Sequence, residues 1–194
     1  KIGYPVILKA VSGGGGKGMR VVYDEGDLLD SFEIAKSEAL NSFNDDQVYI
    51  EKYLINPKHI EVQVLSDSYD NVYSFGERDC SIQRNHQKII EETPSVSISE
   101  SLKKSLYQDA IKIARKVNYV GAGTVEFLVS EGKYYFIEMN TRIQVEHPVS
   151  EIRGGIDIVK EQIKIASKGK TSLKQSDISF RGHVIECRIN AEDP

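Results

Sequence analysis

The chain has 194 residues, 25 Lys and Arg against 29 Asp and Glu, with 40% hydrophobic and 28% charged residues. That is one large domain or one and a half, long enough to bury about 70% of its unfolded surface without disulfide or metal staples. A net charge of −4 is too weak a bias for nonspecific nucleic-acid or membrane-surface binding, no apolar run approaches the ~18 residues of a membrane span, and no signal-peptide pattern opens the chain. Cys80 and Cys187 are far apart and have no metal-ligand spacing, which points to a reducing cytoplasm. The chain begins at Lys1 without a methionine and stops at Pro194 just after an expected strand, so it reads as a piece of something longer.

Taken in order, the periodicity predicts an α+β chain. Val6 to Lys9 reads as a strand, a glycine cluster follows, and Met19 to Tyr23 reads as a second strand. Asp24 is the expected N-cap of a helix carrying Leu28, Phe32, Ala35 and Ala39 on one stripe. Val48 to Tyr53 returns as a strand. From His59 the alternation is clean, with His59, Glu61 and Gln63 on one face and Ile60, Val62 and Val64 on the other. The cluster Asp67 to Asn71 turns the chain back into Val72 to Phe75, and a polar stretch runs from Arg78 to Lys88. A helix is expected over about Ser99 to Val117, with Leu102, Leu106, Ala110, Ile113 and Val117 inward. Strands Thr124 to Val129 and Tyr134 to Met139 flank a turn at Gly132, and a helix from about Ile156 to Ala166 and a strand from His183 to Ile189 complete the order. The expected organisation is a small unit over residues 1–53 and a larger, mostly antiparallel sheet with helices over residues 54–194.

The glycines at 13, 15 and 18 match a dinucleotide fingerprint, but that fingerprint needs a helix after the glycines, and Met19 to Tyr23 reads as strand. The Walker form fails because Gly18, not Ser or Thr, follows Lys17. A glycine loop between antiparallel strands can instead fold over a triphosphate and present backbone N–H groups. Protein kinases use that device, but Lys9 precedes the loop here, and no kinase catalytic-loop or Asp-Phe-Gly motif occurs. The alternative is a flexible turn with no ligand.

Glu126 and Glu138 flank the Gly132 turn. A three-residue loop, Glu131-Gly132-Lys133, would set them directly opposite one another, with Asn140 on the same face. A two-residue turn would send them to opposite faces. Facing like charges are destabilising unless compensated, and two carboxylates with an amide suit Mg²⁺ or Mn²⁺ bridging nucleotide phosphates. A solvated hairpin face with unrelated acids is the competing reading. Downstream, Arg142, Gln144 and Glu146 are spaced by two, so an extended segment would point all three one way. An arginine fork suits a small planar oxyanion and a glutamate beside it can act as general base. Lys88 and His86, in the stretch that also holds Arg78 and Arg84, could add positive charge. Arg188, alone in an apolar alternation, reads as a surface arginine, and His147 and His183 as structural histidines.

Six segments carry a resemblance: Val6 to Lys9 with the glycine loop, Glu51 to Leu54, Glu77 to Arg84, His86 to Lys88, Phe136 to Pro148 and Glu186 to Pro194. Together they resemble biotin carboxylase, an ATP-grasp enzyme, over the whole chain, and His147-Pro148 and Ile189-Asn190-Ala191 look more like the bacterial acetyl-CoA carboxylase subunit than like pyruvate carboxylase. The resemblance implies an ATP-grasp fold truncated at both ends, its residues 1–53 forming a glycine-loop lid, and a cytoplasmic ligase. It implies that Lys9 holds phosphate oxygens and Gly14, Gly15 and Gly16 cover the triphosphate. Backbone groups of Lys52 and Leu54, with the Glu51 carboxylate nearby, would receive adenine, while Met19 and Leu128 join the nucleotide site. His59, Gln83 and His86 would lie along the ribose and phosphates. Glu126, Glu138 and Asn140 would organise the metal. Lys88, Arg142, Gln144 and the Val145 amide would hold bicarbonate, and Glu146 would remove its proton. Attack on the γ-phosphate would then give carboxyphosphate, which collapses to CO₂ and phosphate, and Arg188 would stabilise the oxygen of deprotonated biotin. A biotinylated carrier protein and carboxyltransferase subunits are the implied partners, with no nucleic acid and no membrane.

The family's enzymes begin with a separate α/β domain that contributes another phosphate-binding lysine and continue past Arg188. The expectation is that this chain binds nucleotide weakly and shows little or no biotin carboxylation. Two other readings stay open: the ATP-binding domain of a carbamoyl-phosphate synthetase, whose serines after the arginine are here Gln144-Val145-Glu146-His147, and a noncatalytic nucleotide-binding module.

Overall fold

A computed structural model describes residues 2–13, 18–85 and 87–191; Gly14, Gly15, Gly16, Lys17 and His86 lie outside the described residues. The chain divides into two compact units, Lys1–Asn56 and Pro57–Pro194, each with its own antiparallel sheet.

In the first unit β1 (Val6–Ala10) runs between β2 (Met19–Val22) and β3 (Val48–Lys52), and α1 (Leu28–Phe43) packs on the sheet. Val6 and Leu8 alternate onto one face and meet Val22 and Ala35, with Leu28, Phe32 and Val48 closing over them. Leu8 is fully buried, and each such aliphatic side chain contributes about 1.5–3 kcal/mol. Because β1 and β2 are antiparallel strands, no helix follows the glycine loop. Asp24 does not cap α1. Its Oδ1 accepts from Gly26 N (2.9 Å) and Asp27 N (3.4 Å), an Asx turn that competes with the cap, and the helix starts after Asp27.

The second unit is a six-stranded sheet in the order β8-β7-β4-β5-β6-β9: β4 (Lys58–Ser66), β5 (Val72–Arg84), β6 (Gln87–Thr93), β7 (Gly121–Ser130), β8 (Lys133–Asn140) and β9 (Val184–Cys187). On one face Ile60, Val62, Val64, Val125 and Phe127 bury against Leu106, Ala110 and Ala114 of α2 (Glu100–Lys116). Ser99 caps that helix by accepting from Leu102 N. Val117, expected inward, is exposed, and Ala114 ends the buried stripe instead. On the other face Leu65, Phe75 and Ala122 pack with Ile158 and Ile165 of α4 (Ile158–Lys168), and Asp157 Oδ1 caps α4 at Lys160 N.

Three expectations need correction. The polar stretch from Arg78 is the second half of the long strand β5, followed by a turn at Asn85 and the strand β6. The run from Arg142 to Glu146 is not extended: residues 145 and 146 form a turn into α3 (His147–Gly154), with Pro148 in its first turn. The hairpin loop has two residues, Ser130 pairing with Lys133 around Glu131 (φ 51°) and Gly132 (φ 74°), the left-handed pair of a type I′ turn. By itself that turn would separate the two glutamates. A bulge at Ile137 restores them: Phe127 pairs with Phe136, but Glu126 pairs with Glu138.

Candidate active site

The candidate site lies wholly within the second unit. The face of β4 that carries Leu65 under α4 continues into Gln63, Glu61 and His59, and β7 sets Thr124, Glu126 and Leu128 beside them. Beyond the cover of the helices this polar face opens into a cavity of about 320 Å³. Glu126, Glu138 and Asn140 line it from the hairpin, Lys88 and Gln87 from β6, and Arg142, Gln144, Val145 and Glu146 from the segment leading into α3. His59 and Arg188 complete the wall.

Lys88 sits at the centre. Its Nζ donates to Glu61 Oε2, to Glu126 Oε1 (2.9 Å) and to Glu146 Oε1 (2.8 Å). Burial works against its charge, but the facing carboxylates, Glu61 first, hold the ammonium well above the usual lysine range. Burial likewise opposes the charge of Glu126, yet the hydrogen bond from His59 and the charge of Lys88 keep it far below the usual carboxylate range. Glu146 is lowered too: burial is outweighed by the charge and hydrogen bond of Lys88. Gln83 Nε2 lies 3.1 Å from His59 Nδ1 while His59 Nε2 lies 2.8 Å from Glu126 Oε2. This chain of contacts places the imidazole proton on Nε2, aimed at the carboxylate.

The three residues expected to organise a metal lie together. Asn140 Nδ2 donates to Glu126 Oε1 (2.9 Å) and reaches Glu138 Oε1 (3.4 Å), so an amide N–H now lies between the two facing carboxylates. The two carboxylates are hard oxygen donors that fit Mg²⁺ or Mn²⁺, and the Asn140 amide adds a third oxygen once it turns its carbonyl, rather than its N–H, toward the ion. Glu61, Cys80 and Glu146 form another acidic grouping, but Lys88 already pairs with both of its carboxylates.

Arg142 differs from its neighbours. It is exposed, pairs with no carboxylate among the described residues, and donates to its neighbour's carbonyl, Ile143 O (3.2 Å), which leaves a cationic fork available at the cavity. Arg188 is not a free surface arginine: it pairs with Glu91 Oε1 (2.6 Å) and Glu146 Oε2 (3.1 Å). His147 Nδ1 contacts Gln144 O and His183 pairs with Glu92, both structural contacts. Arg142, Gln144 and Glu146 do reach one cavity, through a turn rather than along a strand. Two acids escaped the sequence reading, Glu61 and Glu91, both fully buried. Glu61 had a signal, since it shares the His59 face of β4; Glu91 lies in the run Ile89 to Thr93 with no pattern to mark it.

Lys9, Met19, Glu51, Lys52 and Leu54 belong to the first unit. Lys9 Nζ is held by Glu51 Oε2, Met19 is the β2 partner of Lys9, and Lys52 Nζ donates to Gly3 O and Tyr4 O. Leu54 follows the end of β3, half-buried.

Residues 1–174 match the family model described as carbamoyl-phosphate synthase L chain, ATP binding domain. The chain is 55% identical over its whole length to the biotin carboxylase of Pseudomonas aeruginosa, of which it covers 43%. Among solved structures it superposes on a biotin carboxylase–beta-gamma-ATP complex from Campylobacter jejuni with a TM-score of 0.89 and 56% identity, covering 99% of this chain and 43% of that one. The biotin carboxylase domain dimer of Hydrogenobacter thermophilus 2-oxoglutarate carboxylase, in complex with MgADP, ADP and bicarbonate, matches with a TM-score of 0.87 and 52% identity over 100% of this chain and 43% of that one. The chain thus spans about two-fifths of the length of the relatives it matches.

Proposed function

The chain belongs to the carbamoyl-phosphate synthase L chain, ATP-binding domain family, and from that premise we propose that it is the central ATP-binding part of a biotin carboxylase. In this reading a cytoplasmic ligase uses ATP and bicarbonate to carboxylate biotin on a carrier protein, within a complex that includes carboxyltransferase subunits. Acetyl-CoA carboxylase is the proposed parent system, on the strength of His147-Pro148 and Ile189-Asn190-Ala191.

The observation that carries the reading is a cationic fork and a restrained base lining one cavity: Arg142, which pairs with no carboxylate among the described residues, and Glu146, held by Lys88 and Arg188. Arg142 and Gln144 would orient bicarbonate, with the Val145 amide beside them. Glu146 would take its proton. Held by two cations Glu146 is a weak base; when Lys88 and Arg188 turn toward anionic ligands, its basicity rises at the moment an acceptor is needed. Arg188, released in the same exchange, would face the biotin oxygen. A divalent ion held by Glu126, Glu138 and Asn140 would neutralise nucleotide phosphate charge. His59, Gln83 and Leu128 would contribute to the nucleotide site, as would Met19, Glu51, Lys52 and Leu54 of the first unit. Lys9 would exchange Glu51 for phosphate oxygens.

The test is bicarbonate-dependent ATP cleavage in the enzyme that carries this segment, with and without free biotin, for wild type and Glu146→Gln. The reading expects biotin to accelerate phosphate release and Glu146→Gln to lower the rate by about 10²–10⁴-fold. Bicarbonate-dependent cleavage that ignores biotin favours the carbamoyl-phosphate synthetase chemistry, and nucleotide binding with no response to either favours a noncatalytic module.

A further inference from the structure

Arg78 is fully buried under the floor of the cavity and makes no contact with open space. Its guanidinium has five N–H groups, and all five find acceptors. Nε donates to Glu61 Oε1 (2.6 Å), Nη1 to Gln63 Oε1 (2.7 Å) and Ser150 Oγ (2.9 Å), Nη2 to Thr124 Oγ1 (3.1 Å) and Gln144 Oε1 (3.3 Å). The partners come from β4, β7, the segment before α3 and α3 itself.

One of these bonds fixes Gln144, which lines the cavity, and another fixes the buried Glu61, which holds the cavity-lining Lys88. Gln144 gives its carbonyl oxygen to Arg78, so its Nε2 points the other way and donates to Glu126 Oε1 (3.0 Å). Glu61 gives Oε1 to Arg78, which leaves Oε2 for Lys88. A side-chain amide is nearly symmetric in shape, and only its neighbours decide whether it shows an acceptor or a donor. An anion in the cavity needs the donor.

We infer that Arg78 is a positioning residue for anion binding: by holding Gln144 Oε1 and Glu61 Oε1 it forces the Gln144 amide N–H and the Lys88 ammonium toward the ligand. It acts through those residues and touches no substrate. The inference rests on the bicarbonate-activating reading above. Lysine cannot replace it, because an ammonium keeps the charge but has three donors and no planar fork.

The test is steady-state kinetics of bicarbonate-dependent ATP cleavage in the enzyme carrying this segment, for wild type, Arg78→Lys, Gln144→Ala and the double variant. Arg78→Lys keeps a positive charge against Glu61. Its KM for bicarbonate rises about 10-fold or more, while its KM for ATP stays within about 2-fold. Adding Gln144→Ala to Arg78→Lys then costs less than about 2-fold further, because the amide is already misdirected. An unchanged KM for bicarbonate, or full additivity of the two substitutions, overturns the proposal. Should Arg78→Lys fail to fold, Thr124→Val with Ser150→Ala removes two of the acceptors that fix the guanidinium, and the same KM rises by about 3-fold; no rise overturns the proposal. A wild type without bicarbonate-dependent cleavage overturns the functional reading and this proposal with it. A wild type that has it, beside an unaltered Arg78→Lys, overturns this proposal alone.

Discussion

The second unit holds two buried charge clusters with opposite construction. Around Lys88 one ammonium serves three carboxylates, Glu61, Glu126 and Glu146, at the edge of an open cavity. Around Glu77 the roles reverse: one carboxylate, fully buried, receives Ser95 N (3.0 Å), the Tyr107 hydroxyl and Lys103 Nζ (3.4 Å), with Arg153 at 3.9 Å. Glu77 and Arg78 are adjacent on β5, so one strand supplies both clusters. The fully buried Glu77 faces two cations, Arg153 and a Lys103 shared with the exposed Glu100, which makes the cluster a tie between elements. In the Lys88 cluster Glu61, Glu126 and Glu146 also have Arg78, His59 and Arg188 beside them, but the open side adds the Glu138 carboxylate, which makes it a place where an added cation is stabilising.

Removing the central charge separates the two most sharply. Lys88→Met leaves three facing carboxylates with no ammonium among them, and urea unfolding should report a loss of about 3 kcal/mol; a stability within about 0.5 kcal/mol of wild type would break the contrast. Tyr107→Phe takes one of several donors from Glu77, and the same measurement should give about 1–2 kcal/mol. Burial and the Glu77 carboxylate hold the Tyr107 phenol far above its usual range, consistent with a hydroxyl that only donates.

Acid should act through the Lys88 cluster. Glu126 titrates below its ordinary value of 4.5 in the folded chain, so the unfolded chain binds its proton first as pH drops. The stability it contributes is fully present above about pH 4.5 and is lost as pH falls through the lowered folded value. Glu126→Gln should therefore flatten the acid limb of stability against pH by about 1 kcal/mol per pH unit. An acid limb parallel to wild type would show that Glu126 is not held in this way.

Much of this contrast was legible in the residues, and the failures are instructive. The alternation of β4 gave both faces correctly, and the Gly132 turn gave the hairpin. The register did not follow from turn length, because the bulge at Ile137 adds back the residue that the short turn removes, and a bulge is set by twist and tertiary packing. The second half of β5 was hidden because polar residues usually mark surface, whereas Arg78 is buried whole by a hydrogen-bond partner for every donor. Such partners come from distant segments, as with Arg188 and Glu91, and no local pattern announces them. The turn that leads into α3 escaped because the spacing of Arg142, Gln144 and Glu146 also suits a strand.

In the proposed function Glu126, Glu138 and Asn140 form the cation site. Manganese binding to this chain in the presence of ADP, followed by electron paramagnetic resonance, tests it most directly. Wild type should take up the ion, Glu126→Gln and Glu138→Gln should each weaken uptake by about 10-fold or more, and Glu77→Gln should leave it unchanged. Equal uptake by wild type and the double variant of Glu126 and Glu138 would contradict the account.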